Sequence, residues 1–114
     1  DVQLSASLAI PTFKPLQPLD AHWRYDLGRV AAVSGQLDIA EAQADPILKA
    51  RPQHLLGLIL AAITADRLGD ATSARRFRSQ LVAAEAAERA QNLEEYQLHD
   101  ADIRAAVAAA RASR

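Results

Sequence analysis

The sequence has 114 residues, enough for one small domain or for a piece of a larger protein. Its net charge of −1 argues against a nucleic-acid-binding module, and the lack of cysteine excludes disulfides, thiolate metal sites and cysteine nucleophiles. Half of the residues are hydrophobic but only 4% are aromatic. A hydrophobic core with so few aromatic residues favours closely packed helices over a β-sandwich. We therefore expect an all-α protein.

Residues 1–19 predict an extended N-terminal arm. Pro11, Pro15 and Pro18 prevent a regular helix there, and the preceding residues alternate between apolar and small or polar side chains, as in a half-buried strand. The side chains expected to dock the arm are Val2, Leu4, Leu8, Ile10 and Phe13. Three alternatives remain for the arm: it packs on the protein's own helices, it pairs with another chain by strand addition, or it is a frayed tether.

Residues 20–114 predict one helical domain. The first helix is expected to begin at Asp20 as its N-cap and to end at Gly35. Helical spacing predicts that its apolar face consists of Trp23, Leu27, Val30 and Ala31. Pro46 lies inside the second helix and predicts a kink or a break near Asp45.

The third helix follows Pro52 and is the most apolar stretch, 54-HLLGLILAAITADRLGD-70. Its uncharged residues 55–65 would span about 16 Å as a helix, whereas a membrane requires about 30 Å. The pattern therefore predicts a buried helix that is covered on two sides. Gly69 and Asp70 follow as a turn and the N-cap of a fourth helix. Asn92 and Glu95 resemble a capping box that opens a last helix of about twenty residues.

Two parts of the chain correspond at an offset of 34 residues. The offset places Gly35 on Gly69, Ala31 on Ala65 and Ala40 on Ala74. A helix–turn–helix unit of this length resembles the tetratricopeptide repeat. In the first unit Leu27-Gly28 matches the leucine–glycine pair and Pro52 matches the closing proline, although Arg24 stands at the aromatic position. The second unit keeps the turn glycine and Ala74 but has Ala86 in place of the proline.

The resemblance implies a short solenoid of about five helices behind the proline-rich arm. Its first repeat would span residues 21–54, its second 55–88, and a capping helix 92–112. Small residues would let the paired helices approach closely, and these are Gly28, Ala31, Ala40, Ala65 and Ala74. An unrelated helical bundle remains the alternative fold.

In tetratricopeptide repeats the concave groove is lined by the first helix of each unit. By this resemblance the partner-binding residues are His22, Tyr25, Arg29, Ile59, Ile63, Asp66 and Arg67. Tyr25 and Arg29 stand where the carboxylate clamp of such repeats has lysine and asparagine. The resemblance therefore favours an extended apolar segment over an acidic C-terminal peptide as the ligand.

No catalytic motif is legible in the sequence. The histidines have no metal-ligand spacing and are interpreted as surface or groove imidazoles. Four carboxylates of the last helix are interpreted as a solvated face: Glu94, Glu95, Asp100 and Asp102. We therefore expect no enzymatic activity, no cofactor and no metal.

These patterns predict a non-catalytic interaction module that binds another protein or a peptide in its groove, without nucleic acid and without inserting into a membrane. The alternative is a structural accessory subunit of a larger, membrane-associated complex, docked through the arm; a homo-oligomer also stays open. Methionine is absent, including at position 1, which predicts an upstream signal, anchor or trimmed segment. A composition rich in alanine and arginine suggests a bacterial source, and the expected upstream segment favours the periplasm or a membrane over the cytoplasm.

Overall fold

The computed structural model describes Gln17 and residues 19–113, and every regular element in that part of the chain is a helix. The six helices are α1 (Asp20–Val33), α2 (Leu37–Ala50), α3 (Leu55–Leu68), α4 (Ala71–Arg89), α5 (Glu94–Leu98) and α6 (Asp100–Ala112). The prediction of an all-α fold is confirmed. The predicted arm, with Val2, Leu4, Leu8, Ile10 and Phe13, lies outside the described residues.

The turns between α1 and α2 and between α3 and α4 have the same geometry. Gly35 and Gly69 both have a φ of 81°, a left-handed conformation that favours glycine. After Gly35 the Gln36 N–H donates to the Ala31 carbonyl at 2.8 Å, and the equivalent bond after Gly69 spans 2.9 Å. This pattern is the Schellman helix end. It occurs twice, 34 residues apart.

Helix α3 forms the centre of the molecule. Every residue from Leu55 to Ala62 is buried, because α1, α2, α4 and α6 all contact this helix. The sequence-based prediction of a buried helix is therefore confirmed. Within residues 19–113, none of the helices combines the length and the apolar character that crossing a membrane requires.

Small residues lie where the helices pack, as predicted. All five predicted small residues are buried, namely Gly28, Ala31, Ala40, Ala65 and Ala74. A methyl group added at Gly28 would overlap the side chain of Leu60 on α3. One added at Gly57 would lie 2.8 Å from side-chain atoms of both Ile47 and Leu48 on α2. Both glycines thus permit interhelical distances that a larger side chain would prevent.

The predicted apolar face of α1 is wrong for three of its four residues. Trp23, Leu27 and Val30 are 64%, 51% and 65% exposed, and only Ala31 is buried. The buried face instead consists of Ala21, Tyr25, Gly28, Ala31 and Ala32. Because α1 approaches α3 closely at Gly28, its small side chains face inward and most of its large apolar ones face solvent.

Two helix starts and the last helix also differ from the predictions. Leu19, not Asp20, is the N-cap of α1, with a φ of 65°. The capping box does not form, because Leu93 is the N-cap of α5 and Asn92 has a left-handed φ of 55°. The last helix is interrupted at His99, so α5 and α6 are separate.

Pro46 lies inside α2 without ending it. The helix runs continuously from Leu37 to Ala50, so the break considered near Asp45 does not occur. Proline removes one backbone donor, which leaves the carbonyl of Ala42 without its usual helical partner. Ala42 is exposed, and water can therefore hydrate that carbonyl.

Candidate functional site

A buried histidine fixes the beginning of α3. The His54 Nδ1 accepts a hydrogen bond from the Leu56 N–H at 3.2 Å, so its Nε2 carries the proton and donates to Glu95 at 2.9 Å. His54 is only 2% exposed, and its interpretation as a surface or groove imidazole is wrong. The hydrogen bond from His54 lowers the pKa of Glu95. Because histidine is not a usual N-cap residue, no sequence pattern predicted this role for His54.

A second network of hydrogen bonds connects α3, α4 and α5. The Tyr96 hydroxyl accepts from the Leu55 N–H at 3.0 Å and donates to Glu88 at 2.6 Å, while Arg51 lies 3.2 Å from Glu88. Burial, followed by this bond to Glu88, raises the pKa of Tyr96. Together with the His54–Glu95 bond, these hydrogen bonds hold the beginning of α3 against α4 and α5. The prediction of a solvated acidic face is therefore wrong for Glu95.

Helix α1 also contacts α6 through a polar triad of Tyr25, Arg29 and Asp102. The Tyr25 hydroxyl donates to Asp102 at 3.1 Å, and Arg29 donates to Tyr25 at 3.0 Å and to Asp102 at 2.7 Å. Burial raises the pKa of Tyr25 to about 12, so the phenol stays protonated at neutral pH. Asp102 is partly buried and paired, contrary to its interpretation as part of a solvated face.

Next to this triad, two histidines and an aspartate form a cluster between α1 and the α5–α6 junction. His22 Nδ1 lies 2.8 Å from His99 Nε2, a hydrogen bond in which one ring donates to the other. Asp26 Oδ1 lies 3.5 Å from His99 Nε2. Burial lowers the pKa of His99, with His22 and Arg29 adding to the effect and Asp26 opposing it. The His99 ring is therefore uncharged at neutral pH.

A largely apolar cavity of about 330 Å³ opens beside the triad; we call it the groove cavity. Its apolar wall is formed by α3 and α6, with Ile59, Ala62, Ile63, Ala105, Ala106 and Ala109. Two ion pairs also line it, Arg29 with Asp102 and Arg78 with Asp66, each at 2.7 Å. The cavity is thus an apolar space whose nearby charges are mutually paired.

The structure brings together part of the predicted groove. Four of the predicted residues line the groove cavity: Arg29, Ile59, Ile63 and Asp66. Tyr25 is 1% exposed, and both Tyr25 and His22 contact the last helices instead. Arg67 is exposed and does not line the cavity.

The contribution of α6 was missed. Its cavity-lining residues are Asp102, Ala105, Ala106 and Ala109. Their spacing of three and four residues places them on one helix face. That spacing was the available signal, but it could not show that the face turns toward α3.

Comparison of the chain with protein-family models, with curated proteins and with solved structures gives no match. The geometry of the groove cavity and of the polar groups beside it is therefore the basis for a functional proposal.

Proposed function

We propose that this protein is a short tetratricopeptide-like array that acts as a non-catalytic interaction module. Three features support the repeat assignment. The two Schellman turns lie 34 residues apart, α1 pairs with α2 as α3 pairs with α4, and α6 packs on the second pair. Such packing of each unit on its neighbour is typical of stacked helical repeats.

The groove cavity is the observation that carries the proposed function. It is bordered by α1, α3, α4 and α6 and combines an apolar wall with an opening to solvent. Its volume of about 330 Å³ is near the lower end of the range for ligand pockets, about 300–1,000 Å³. A space of this size suits one or two apolar side chains of a partner protein better than a large cofactor.

The charged residues around the cavity support an uncharged occupant. Arg29 is paired with Asp102, and Arg78 with Asp66. An acidic peptide would have to compete with these internal partners for the arginines. An extended apolar segment of another protein requires no such exchange, so it is the ligand we propose.

A matched pair of variants on α6 tests the groove. Ala105 and Ala108 are both exposed, but only Ala105 lines the cavity. Peptides are selected on the purified domain from a random displayed library, and the affinity of a selected peptide is then measured by calorimetry. We expect shared apolar anchor residues among the selected peptides. Ala105→Arg should weaken binding at least about tenfold, equivalent to about 1.4 kcal/mol, and Ala108→Arg should leave it unchanged.

Two results would contradict this function. One is a library selection that yields no peptide with a measurable affinity. The other is equal binding by Ala105→Arg and Ala108→Arg, which would place the peptide elsewhere on the surface. Circular dichroism spectra of both variants control for folding.

The exposed face of α1 favours a second candidate function, a structural subunit of a larger complex. Trp23, Leu27 and Val30 lie on one side of α1 and are all more than half exposed. Burial in a partner would remove this apolar stripe from water. The residues of the predicted arm immediately precede this helix in the chain, so an arm and the stripe could dock on the same neighbour.

Co-purification from the native host separates the two candidates. For an accessory subunit, deletion of residues 1–18 or the change Leu27→Glu should release the other subunits, while Ala105→Arg should retain them. The opposite pattern would support the groove and reject the accessory subunit.

A further inference from the structure

Two of the three histidines in this sequence meet in space. His22 and His99 are 77 residues apart in the chain, yet their rings are hydrogen-bonded. Asp26, one helical turn after His22 on α1, completes a group of three potential metal ligands. The sequence contains no cysteine and three histidines. This group therefore includes two of the three imidazoles, and imidazole nitrogen is a ligand that zinc and similar metal ions prefer.

The distances within the group fit a single ion. One donor atom from each of the three residues lies within 4.8 Å of the other two. His22 Nδ1 and His99 Nε2 are 2.8 Å apart, and Asp26 Oδ1 is 3.5 Å from His99 Nε2. Bonds of about 2.0–2.2 Å place the ligands of tetrahedral zinc about 3.3–3.5 Å apart. On binding, the two ring nitrogens would separate by about 0.5 Å, and Asp26 would approach His22 from within 4.8 Å.

The outer nitrogen of the His99 ring, Nδ1, faces a carboxylate that is not one of the three ligands. His99 Nδ1 lies 4.0 Å from Asp102 Oδ2. Metal-binding histidines commonly direct their second N–H toward such a group, which fixes the tautomer and the orientation of the ring. Asp102 is itself held by hydrogen bonds from Tyr25 and Arg29. The positive charge of the Arg29 guanidinium is therefore paired with a carboxylate.

We propose that His22, Asp26 and His99 bind one divalent transition-metal ion of the zinc class, with water at the fourth position. Two imidazoles and one carboxylate are typical zinc ligands, whereas Mg²⁺ and Ca²⁺ prefer oxygen ligands. The hydrogen bond between the rings is lost on binding. The donor ring moves its proton from the inner to the outer nitrogen, so both inner lone pairs reach the metal and the rings stay neutral.

The ion joins the first helix to the last two. His22 and Asp26 belong to α1, and His99 lies at the junction of α5 and α6. Binding therefore raises the thermal stability of the folded chain, because the unfolded chain lacks a preformed site. None of the three ligands lines the groove cavity, and zinc binding does not depend on the proposed interaction with a partner.

Zinc titration of tag-free protein tests the proposal. We expect one Zn²⁺ per chain by calorimetry, a higher Tm in Zn²⁺ than in EDTA, no such change with Mg²⁺, and visible absorption typical of tetrahedral Co²⁺ on cobalt substitution. Asp26→Asn should weaken zinc binding at least about tenfold, and His99→Gln should weaken it further. Asp26 is half-exposed, so its substitution is compatible with folding.

The control variant is Asp38→Asn, which removes an exposed carboxylate from the first turn of α2 and should leave zinc affinity unchanged. Absence of saturable zinc binding by the unmodified chain would overturn the proposal. Equal zinc affinity in Asp26→Asn and Asp38→Asn would do the same. If His99→Gln does not fold, the comparison between the two aspartate variants still decides.

Discussion

Helices α1 and α3 have the same length of 14 residues but opposite exposure. In α3 the residues from Leu55 to Ala62 are all buried, whereas α1 exposes Trp23, Leu27 and Val30. The difference follows from how the neighbouring helices cover each of the two. Helix α3 is enclosed by α1, α2, α4 and α6 along Leu55 to Ala62, while the contacts of α1 with the other described helices leave its Trp23, Leu27 and Val30 side uncovered. The burial of a helix here is therefore decided by how much of its surface the neighbouring helices cover, as well as by its own apolar residues.

Identical substitutions in the two helices should give the largest contrast. Leu60 on α3 is fully buried, and Leu27 on α1 is 51% exposed. Leu60→Ala should lower the free energy of unfolding by about 3 kcal/mol, through lost burial and a new cavity. Leu27→Ala should change it by less than about 0.5 kcal/mol. Urea unfolding followed by circular dichroism measures both, and similar losses would show that α1 is covered in solution.

The contact between the two helices can be tested by a double substitution. Gly28→Ala gains about 1 kcal/mol of helix propensity, but the added methyl overlaps Leu60, and overpacking costs about 1–3 kcal/mol. We expect a net loss of about 1 kcal/mol in the otherwise unchanged protein. With Leu60→Ala the space is free, and Gly28→Ala should become neutral or stabilising. Additive effects in this double-mutant cycle would argue against close packing at this point.

The N-caps of α3 and α1 should give the smallest difference in stability, and it should be measurable only at low pH. His54 caps α3 and is held by Glu95, whereas Leu19 caps α1 without a side-chain hydrogen bond. The pKa of Glu95 is lowered in the folded state from its ordinary value of 4.5. Its contribution to stability is therefore present above pH 4.5 and is lost as the pH falls through the folded-state pKa.

Glu95→Gln removes this titration while keeping an acceptor for His54. Its free energy of unfolding should fall less steeply below pH 4.5 than that of the unmodified protein. The control is Glu94→Gln, on an exposed neighbour, which should retain the original acid dependence. Parallel curves for all three proteins would exclude a role for the His54–Glu95 bond.

The parts of the fold that depend on local chemistry could be predicted from the sequence. Gly35 and Gly69 mark turns because a left-handed φ favours glycine there, and Asp70 caps α4 by accepting from the Ser73 N–H. The apolar run of α3 indicated its burial because it had no polar face. In α1 the same reasoning failed, since the large apolar residues and the small ones form separate stripes and hydropathy does not show which one packs.

The candidate site was predictable only where it follows the resemblance to a tetratricopeptide repeat. Ile59 and Ile63 were assigned by their position in a helix, and they line the groove cavity. Asp102 and His99 come from the other end of the chain, and their contacts with Tyr25 and His22 arise from packing over 77 residues. No local spacing encodes such a pair. Short-range patterns therefore found the residues that α1 and α3 contribute to the site, but not their partners near the end of the chain.

The contacts between the first and last helices bear on how the protein opens. In a linear repeat array each unit touches only its neighbours, so terminal units can fray independently. Here Tyr25 and Arg29 on α1 are hydrogen-bonded to Asp102 on α6. Detachment of α1 or of α6 therefore breaks hydrogen bonds that hold the other helix in place. Amide hydrogens of α1 and α6 should therefore exchange with solvent through a shared opening, giving this small chain cooperative unfolding from both ends.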